Sequence, residues 1–415
     1  MENKKVMNRG LVVVGAILIQ LALGAIYAWS VFTPSLTAEG WAKADTQWVF
    51  AIGLASFAVF MVFSGKKLNT IGPQKLTILG GVILGLGYLL AGIFGGTDFT
   101  ALMLLIGLVG GAGIGIAYVV PIAVGMRWFP DKKGMITGLA VAGFGFGAML
   151  WVKLAGSWGH LIENMGLSST FIVYGIAFAI MVIIGGMWMK FPPAGWKPEG
   201  YEATEAKTAE TVEEKEFSSN EMLSKIQFYL IFFTFVVSAG AGLMSIGLMK
   251  LYPMEALQAN GLSAMEASAI AGTAMAVFFS LANGIGRIVW GMLSDKLGRK
   301  TSIIIMTATQ GILVIAFTYM AGSEILLYLG ATLIGFNFGG NFALFPTITA
   351  DTFGAKNVGQ NYPFVFLAYG VGGILGPILG GMMGDMGNFP MAFTISGVAV
   401  LVGTVLIMMV KPAKK

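Results

Sequence analysis

The 415-residue chain has no cysteine and a single histidine, His160, and only 11% of it is Asp, Glu, Lys or Arg. Without cysteine there is no disulfide and no thiolate-bound metal. One histidine leaves no material for a histidine-based catalytic triad, a His-rich metal cluster or a histidine proton relay. An ordinary soluble domain is about 25% charged, so this chain carries too little charge to keep itself in water. What it has instead is apolar mass, 56% hydrophobic residues, and 60 glycines, which membrane helices tolerate and use for close contact. The net charge of +5 reflects where the lysines lie and carries no implication of nucleic acid binding.

A helix needs about 20 apolar residues to span a bilayer, and twelve runs reach that length. They fall at roughly 10–34, 47–65, 76–96, 100–126, 134–157, 168–189, 226–249, 266–290, 302–322, 324–348, 360–384 and 389–410. Basic residues concentrate in alternate connections: Lys66, Lys67, Lys75, Arg127, Lys132, Lys133, Lys190, Lys225, Lys296, Arg299, Lys300 and Lys356 lie on one side, with Lys4, Lys5, Lys414 and Lys415 at the termini. The other side holds only Lys43 and Lys250. Positive residues stay inside, so an even number of spans with both termini in the cytoplasm is expected. The first run is too long for a cleaved signal peptide and leads straight into further spans, so it is expected to remain as an anchor.

The chain divides in two. Residues 191–221 contain Pro192, Pro193 and eight glutamates, a solvated linker between an N-terminal six-helix bundle (1–190) and a C-terminal one (222–415). Internal repetition supports the division. Gly65-Lys-Lys-Leu-Asn69-Thr-Ile-Gly72 follows the second helix, and Gly291-Met-Leu-Ser-Asp295-Lys-Leu-Gly298-Arg299-Lys300 follows the eighth. A glycine-rich fifth helix (Gly138 to Gly147) is matched by a glycine-rich eleventh (Gly370 to Gly381).

One charge sits where a membrane should not hold it. Arg287 lies inside the apolar run from Ala267 to Leu293; at the centre of a membrane helix an arginine costs roughly 2.5–3.5 kcal/mol and marks a functional site by default. Asn283 stands one turn earlier on the same face. A fixed guanidinium beside an amide is a docking point for a small anion. Tyr27 and Tyr118 lie near mid-membrane with hydroxyls able to donate to a carboxylate. Phe338 and Phe342 share a face of the tenth helix, and Phe366 and Tyr369 a face of the eleventh. Each has a plainer reading. Arg287 could pair with a helix carbonyl, Asn283 could bond between helices, the tyrosines could anchor at the interface, and the phenylalanines could be core. No ring of charges suggests a channel. No nucleophile, metal set or acid–base pair suggests an enzyme, and no cofactor is expected.

The motif at 291–300, with its weaker copy at 65–75, is similar to the signature of the major facilitator superfamily. Arg127-Trp-Phe-Pro-Asp-Lys-Lys-Gly134, followed by Gly143-Phe-Gly-Phe-Gly147, more narrowly resembles the oxalate:formate antiporter family, which includes bacterial monocarboxylate transporters. Tyr27-Ala-Trp29-Ser30, Asn283 with Arg287, and Asn361-Tyr362 extend the likeness along the chain. The resemblance implies an all-α membrane protein of twelve helices in two six-helix halves, in a bacterial plasma (inner) membrane, with a monomer as default. In the family's oxalate carriers a dianion meets an arginine in the eighth helix and a lysine in the eleventh. Arg287 matches the first position; the second falls on Tyr369. One buried cation suits one carboxylate, so the expected cargo is a small monocarboxylate such as L-lactate or pyruvate, moved with a proton, an oxalate- or formate-type exchanger being the alternative. Animal monocarboxylate transporters carry an aspartate one turn before their arginine; here Asn283 cannot titrate. Asp295 and Arg299 are expected to tie the end of the eighth helix to a neighbour and bias a conformational equilibrium, with Asn69 as the uncharged counterpart in the first half.

Overall fold

A computed structural model describes residues 7–41, 43–156, 158–198, 216–249 and 251–413. Linker residues 199–215, Lys4, Lys5, Lys250, Lys414 and Lys415 lie outside the described residues. Twelve helices are long and apolar enough to cross a membrane: α1 (Arg9–Trp29), α2 (Trp48–Ile71), α3 (Pro73–Gly95), α4 (Phe99–Trp128), α5 (Pro130–Ala155), α6 (Leu161–Gly186), α7 (Ile226–Leu248), α8 (Ala264–Leu297), α9 (Arg299–Met320), α10 (Glu324–Phe353), α11 (Val358–Gly384) and α12 (Phe389–Met408). Their outward faces carry exposed apolar side chains, among them Phe94, Ile180, Ile312 and Val402. In water such a surface would drive aggregation; against lipid tails it is solvated.

The number of spans agrees with the sequence, but several ends do not. α2 and α8 run past their apolar stretches to Ile71 and Leu297. Hydropathy ends where solvent begins, whereas a helix ends where its backbone is stopped. The stops are Gly72 and Gly298, both in the left-handed region at φ 91° and 85°, each followed at once by the next helix. The second glycine of each repeated motif is therefore a turn residue. α6 begins at Leu161, earlier than its apolar run, and is broken at Gly166 (φ 77°).

Packing follows a twofold plan. Inside the first half α1 lies on α5, α2 on α4, and α3 on α6; six helices later α7 lies on α11, α8 on α10, and α9 on α12. The halves meet through α2 on α11 and α5 on α8, two contacts that the same exchange converts into each other. Several helices are not regular. α1 tightens to a three-residue turn over Gly24–Val31, and α8 widens over Ala274–Phe279, just before Asn283. Such departures from α geometry often mark functional segments.

The segment of α8 bearing Asn283 and Arg287 is pressed between two helices. A side chain on Gly138 of α5 would strike the Arg287 carbonyl, and one on Gly339 of α10 would strike that of Asn283. Overpacking of this kind costs about 1–3 kcal/mol. Gly339→Ala is expected to lower the thermal unfolding midpoint in detergent, while Gly272→Ala on the same bundle, whose added carbon meets open space, should leave it in place. Equal midpoints for the two variants would contradict this packing.

Candidate functional site

Arg287 has no exposed surface. Its Nε donates to Asn283 Oδ1 at 3.0 Å and its Nη1 to the Val141 carbonyl of α5 at 2.9 Å. The plainer reading of both residues is thus partly realised: asparagine and helix carbonyl fix the guanidinium in place. Nη2 has no hydrogen-bond partner, and Arg287 makes no salt bridge among the described residues. The cation is held on two sides, the Tyr27 hydroxyl stands close to it, and no carboxylate among the described residues neutralises it. An uncompensated charge in a medium of low dielectric constant is a strong demand for an anion.

Aromatic rings close around it. The guanidinium carbon stands 4.1 Å from the Phe342 ring centre and 5.6 Å from that of Phe144, both within cation–π range. Four hydroxyls feel its charge: those of Tyr27, Tyr118, Tyr362 and Tyr369. Tyr27 of α1 and Tyr369 of α11 hydrogen-bond to each other across the two halves. The Tyr118 and Tyr362 hydroxyls are buried with no partner. Buried polar atoms are nearly always satisfied, so three orphans around one cation (Nη2 and two hydroxyls) leave unused hydrogen-bonding capacity that a polar guest can take.

Of the residues singled out in the sequence, Arg287, Asn283, Tyr27, Tyr118, Tyr369, Phe342 and Phe366 come together. Phe366 links the rings, at 5.1 Å from Tyr369, 5.4 Å from Tyr118 and 5.7 Å from Tyr362. Phe338 stands one layer behind, against Phe342 at 5.3 Å and Phe279 at 6.0 Å. Sequence reasoning did not place Tyr362, Phe144 or Phe57 in the site. Phe57 of α2 meets Tyr118 edge-on at 5.0 Å and Phe366 at a tilt at 5.1 Å. For Phe144 a signal was available: glycines flank it on both sides, so the helix packs through them and one ring projects.

Asp295, Arg299 and Asn69 lie away from this cage, on the side of the bundle that bears the described ends of the linker. Asp295 Oδ1 and Oδ2 accept from the Gly134 and Met135 N–H groups at 2.9 and 2.7 Å. These are free donors at the start of α5, where a helix favours negative charge. Arg299 pairs with Asp295 at 2.6 Å and with Asp351 at 3.0 Å, and Lys133 reaches Asp351 at 3.5 Å. Asn69 accepts from Arg127 at 3.3 Å. His160 lies on the surface, paired with Glu163 at 2.9 Å.

The family model of the Major Facilitator Superfamily matches residues 13–278 and 248–415. The chain belongs to the major facilitator superfamily. It is a multi-pass membrane transporter and not an enzyme. Within the superfamily it is 30% identical to the uncharacterized MFS-type transporter YhjX of Escherichia coli over 88% of this chain and 86% of that one. It is 26% identical to the oxalate:formate antiporter of Oxalobacter formigenes over 98% and 92% of the two chains. Apicoplast pyruvate carrier 1 of Toxoplasma gondii is 25% identical over 78% and 66%. The crystal structure of the superfamily transporter FucP in the outward conformation superposes with a TM-score of 0.69 at 15% identity, over 98% of this chain and 99% of that one; this likeness concerns the fold.

Two measurements test the local geometry of this superfamily member. Removing an orphaned buried hydroxyl costs the empty protein nothing, but removes a hydrogen bond to a charged guest worth about 1.5–3 kcal/mol. Tyr118→Phe and Tyr362→Phe are therefore expected to keep the thermal stability at or above that of the parent while weakening anion binding about tenfold or more; a loss of stability with unchanged binding would contradict the assignment. Asp295→Asn removes a charge at a helix start, worth about 0.3–1 kcal/mol. It should lower the transport rate while leaving substrate affinity within about twofold, and a large loss of affinity would count against a purely conformational role.

Proposed function

We propose that this chain is a secondary transporter of small monocarboxylates such as L-lactate or pyruvate, moving them together with a proton by alternating access. The observation that carries the proposal is the fully buried Arg287 guanidinium, without a carboxylate partner among the described residues and with an orphaned Nη2, beside tyrosine hydroxyls inside an aromatic cage. One fixed positive charge balances one carboxylate. Nη2 of Arg287 and the hydroxyls of Tyr118 and Tyr362 can then serve the carboxylate and an oxygen on the adjacent carbon. The rings exclude water, which strengthens the ion pair, and restrict the guest to a few carbons. Relatives named for oxalate and formate and for pyruvate support a small organic acid as the class.

The carboxylate would meet Arg287, bond to the hydroxyls, and be carried across as the halves rock about the site. Asn283 holds Arg287 and cannot itself take a proton, so the proton would enter with the acid. The remaining elements of the proposal follow the charge pattern: the two halves joined by the 191–221 linker, the termini and linker in the cytoplasm of a bacterium, the bundle in its inner membrane, and Asp295, Arg299 and Asn69 governing the conformational balance.

A second reading rests on the same orphaned guanidinium. An empty carrier that must move an unpaired buried cation across the membrane resists doing so, which favours exchange of one anion for another. Tyr369, at the position where the resemblance places a second cation, argues for one negative charge over two.

Arg287→Gln is expected to abolish uptake of labelled L-lactate and pyruvate into proteoliposomes. Arg287→Lys should also reduce it, by about tenfold or more, because an ammonium cannot form the paired hydrogen bonds of a guanidinium. Retained uptake by Arg287→Gln would overturn the proposal.

A further inference from the structure

The closure on the linker side is built from two unlike parts. In one, the Asp295 carboxylate occupies the start of α5. The twofold repeat puts Asn69 at the matching place, opposite the start of α11, and Asn69 has no charge to give. A carboxylate nevertheless sits there. Glu216, at the described end of the linker, accepts from the backbone N–H groups of Lys356 at 2.9 Å and Asn357 at 3.2 Å. The preceding Gly354 has φ 101°, and a side chain on it would run into this carboxylate.

The neighbours of Glu216 hold it in place. Phe217 is fully buried; its N–H donates to the Phe353 carbonyl at 2.9 Å, and its own carbonyl accepts from the side-chain amides of Asn357 and Asn361, both at 3.0 Å. From the other half, Arg127 Nη2 donates to the Lys356 carbonyl at 2.7 Å, and its charge is drawn to Glu216. One peptide unit is thus gripped at both ends. Glu216 takes the N–H of Lys356, and Arg127 takes its carbonyl.

We infer that Glu216 supplies, from the linker, the carboxylate that the first-half loop lacks, so that the linker is a working part of the closure and not a passive tether. It offsets the charge of Arg127, takes the backbone N–H groups of Lys356 and Asn357 just ahead of α11, and holds that turn against the end of α4. Displacing Glu216 leaves those donors and that cation without their anion, and shifts the balance toward the state open on the linker side.

The natural absence of cysteine supplies the test. Ala123 of α4 is buried where α4 faces Gly359 of α11, so Ala123→Cys should react with a maleimide only when the linker side opens. In full-length protein carrying this one cysteine, Glu216→Gln is expected to raise the labelling rate about two- to fivefold, the range a charge at a helix start supports. Adding Asn69→Asp should return the rate toward the parent value, by restoring a carboxylate beside Arg127 from the loop. An unchanged rate in Glu216→Gln, or a rise that Asn69→Asp leaves untouched, would overturn the inference. Should Glu216→Gln fail to fold, Asn69→Asp alone is expected to slow labelling, and an equal or faster rate there would overturn it as well.

Discussion

A guanidinium without a carboxylate, sealed from water, is the constraint around which this bundle is arranged. Leaving an ion in a low-dielectric interior is costly, and the protein offsets only part of that cost. Asn283 and the Val141 carbonyl take two directions of Arg287, and Phe342 and Phe144 offer their ring faces. Those contacts immobilise the charge without neutralising it. A carboxylate partner from the protein would have made a quieter core and removed the reason for an anion to enter. The orphaned hydroxyls of Tyr118 and Tyr362 extend the same logic, since groups left unsatisfied in the empty protein return their full value when a guest arrives.

The geometry of that one residue depends on helices packed at short range. Gly138 and Gly339 let α5 and α10 close on either side of α8, and this is what delivers the Val141 carbonyl to the guanidinium. The site is shared between the halves: Tyr27, Tyr118 and Phe144 come from the first, Arg287, Phe342, Phe366 and Tyr369 from the second. Rigid-body movement of one half against the other would therefore alter the site from both walls at once, which is what alternating access asks of a central site.

Much of this was legible in the sequence, for identifiable reasons. Twelve apolar runs and the side preference of lysine are composition signals, strong because bilayers impose length and charge rules. Arg287 announced itself as a charge in an apolar run, and Asn283, Phe342, Phe366 and Tyr369 followed from helical spacing. Helix ends were less legible, because Gly72 and Gly298 stop the backbone by conformation while hydropathy falls earlier. Tyr362 carries only the family likeness in the sequence: it lies near the start of α11, where spacing alone gives no hint that its buried hydroxyl comes within the influence of Arg287. Glu216 lay hidden among the glutamates of a charged segment. Its contacts are with residues about 140 positions further along the chain, and no local pattern reports them.

The central claim is that one buried cation selects one carboxylate. Uptake of labelled L-lactate into proteoliposomes, with and without an inward proton gradient and with excess oxalate present, tests it most directly. The account predicts uptake that is driven by the gradient and unaffected by oxalate. Uptake that is stopped by oxalate would contradict it and show a site that accepts two charges, while uptake that ignores the gradient and requires internal anion would make the protein an exchanger.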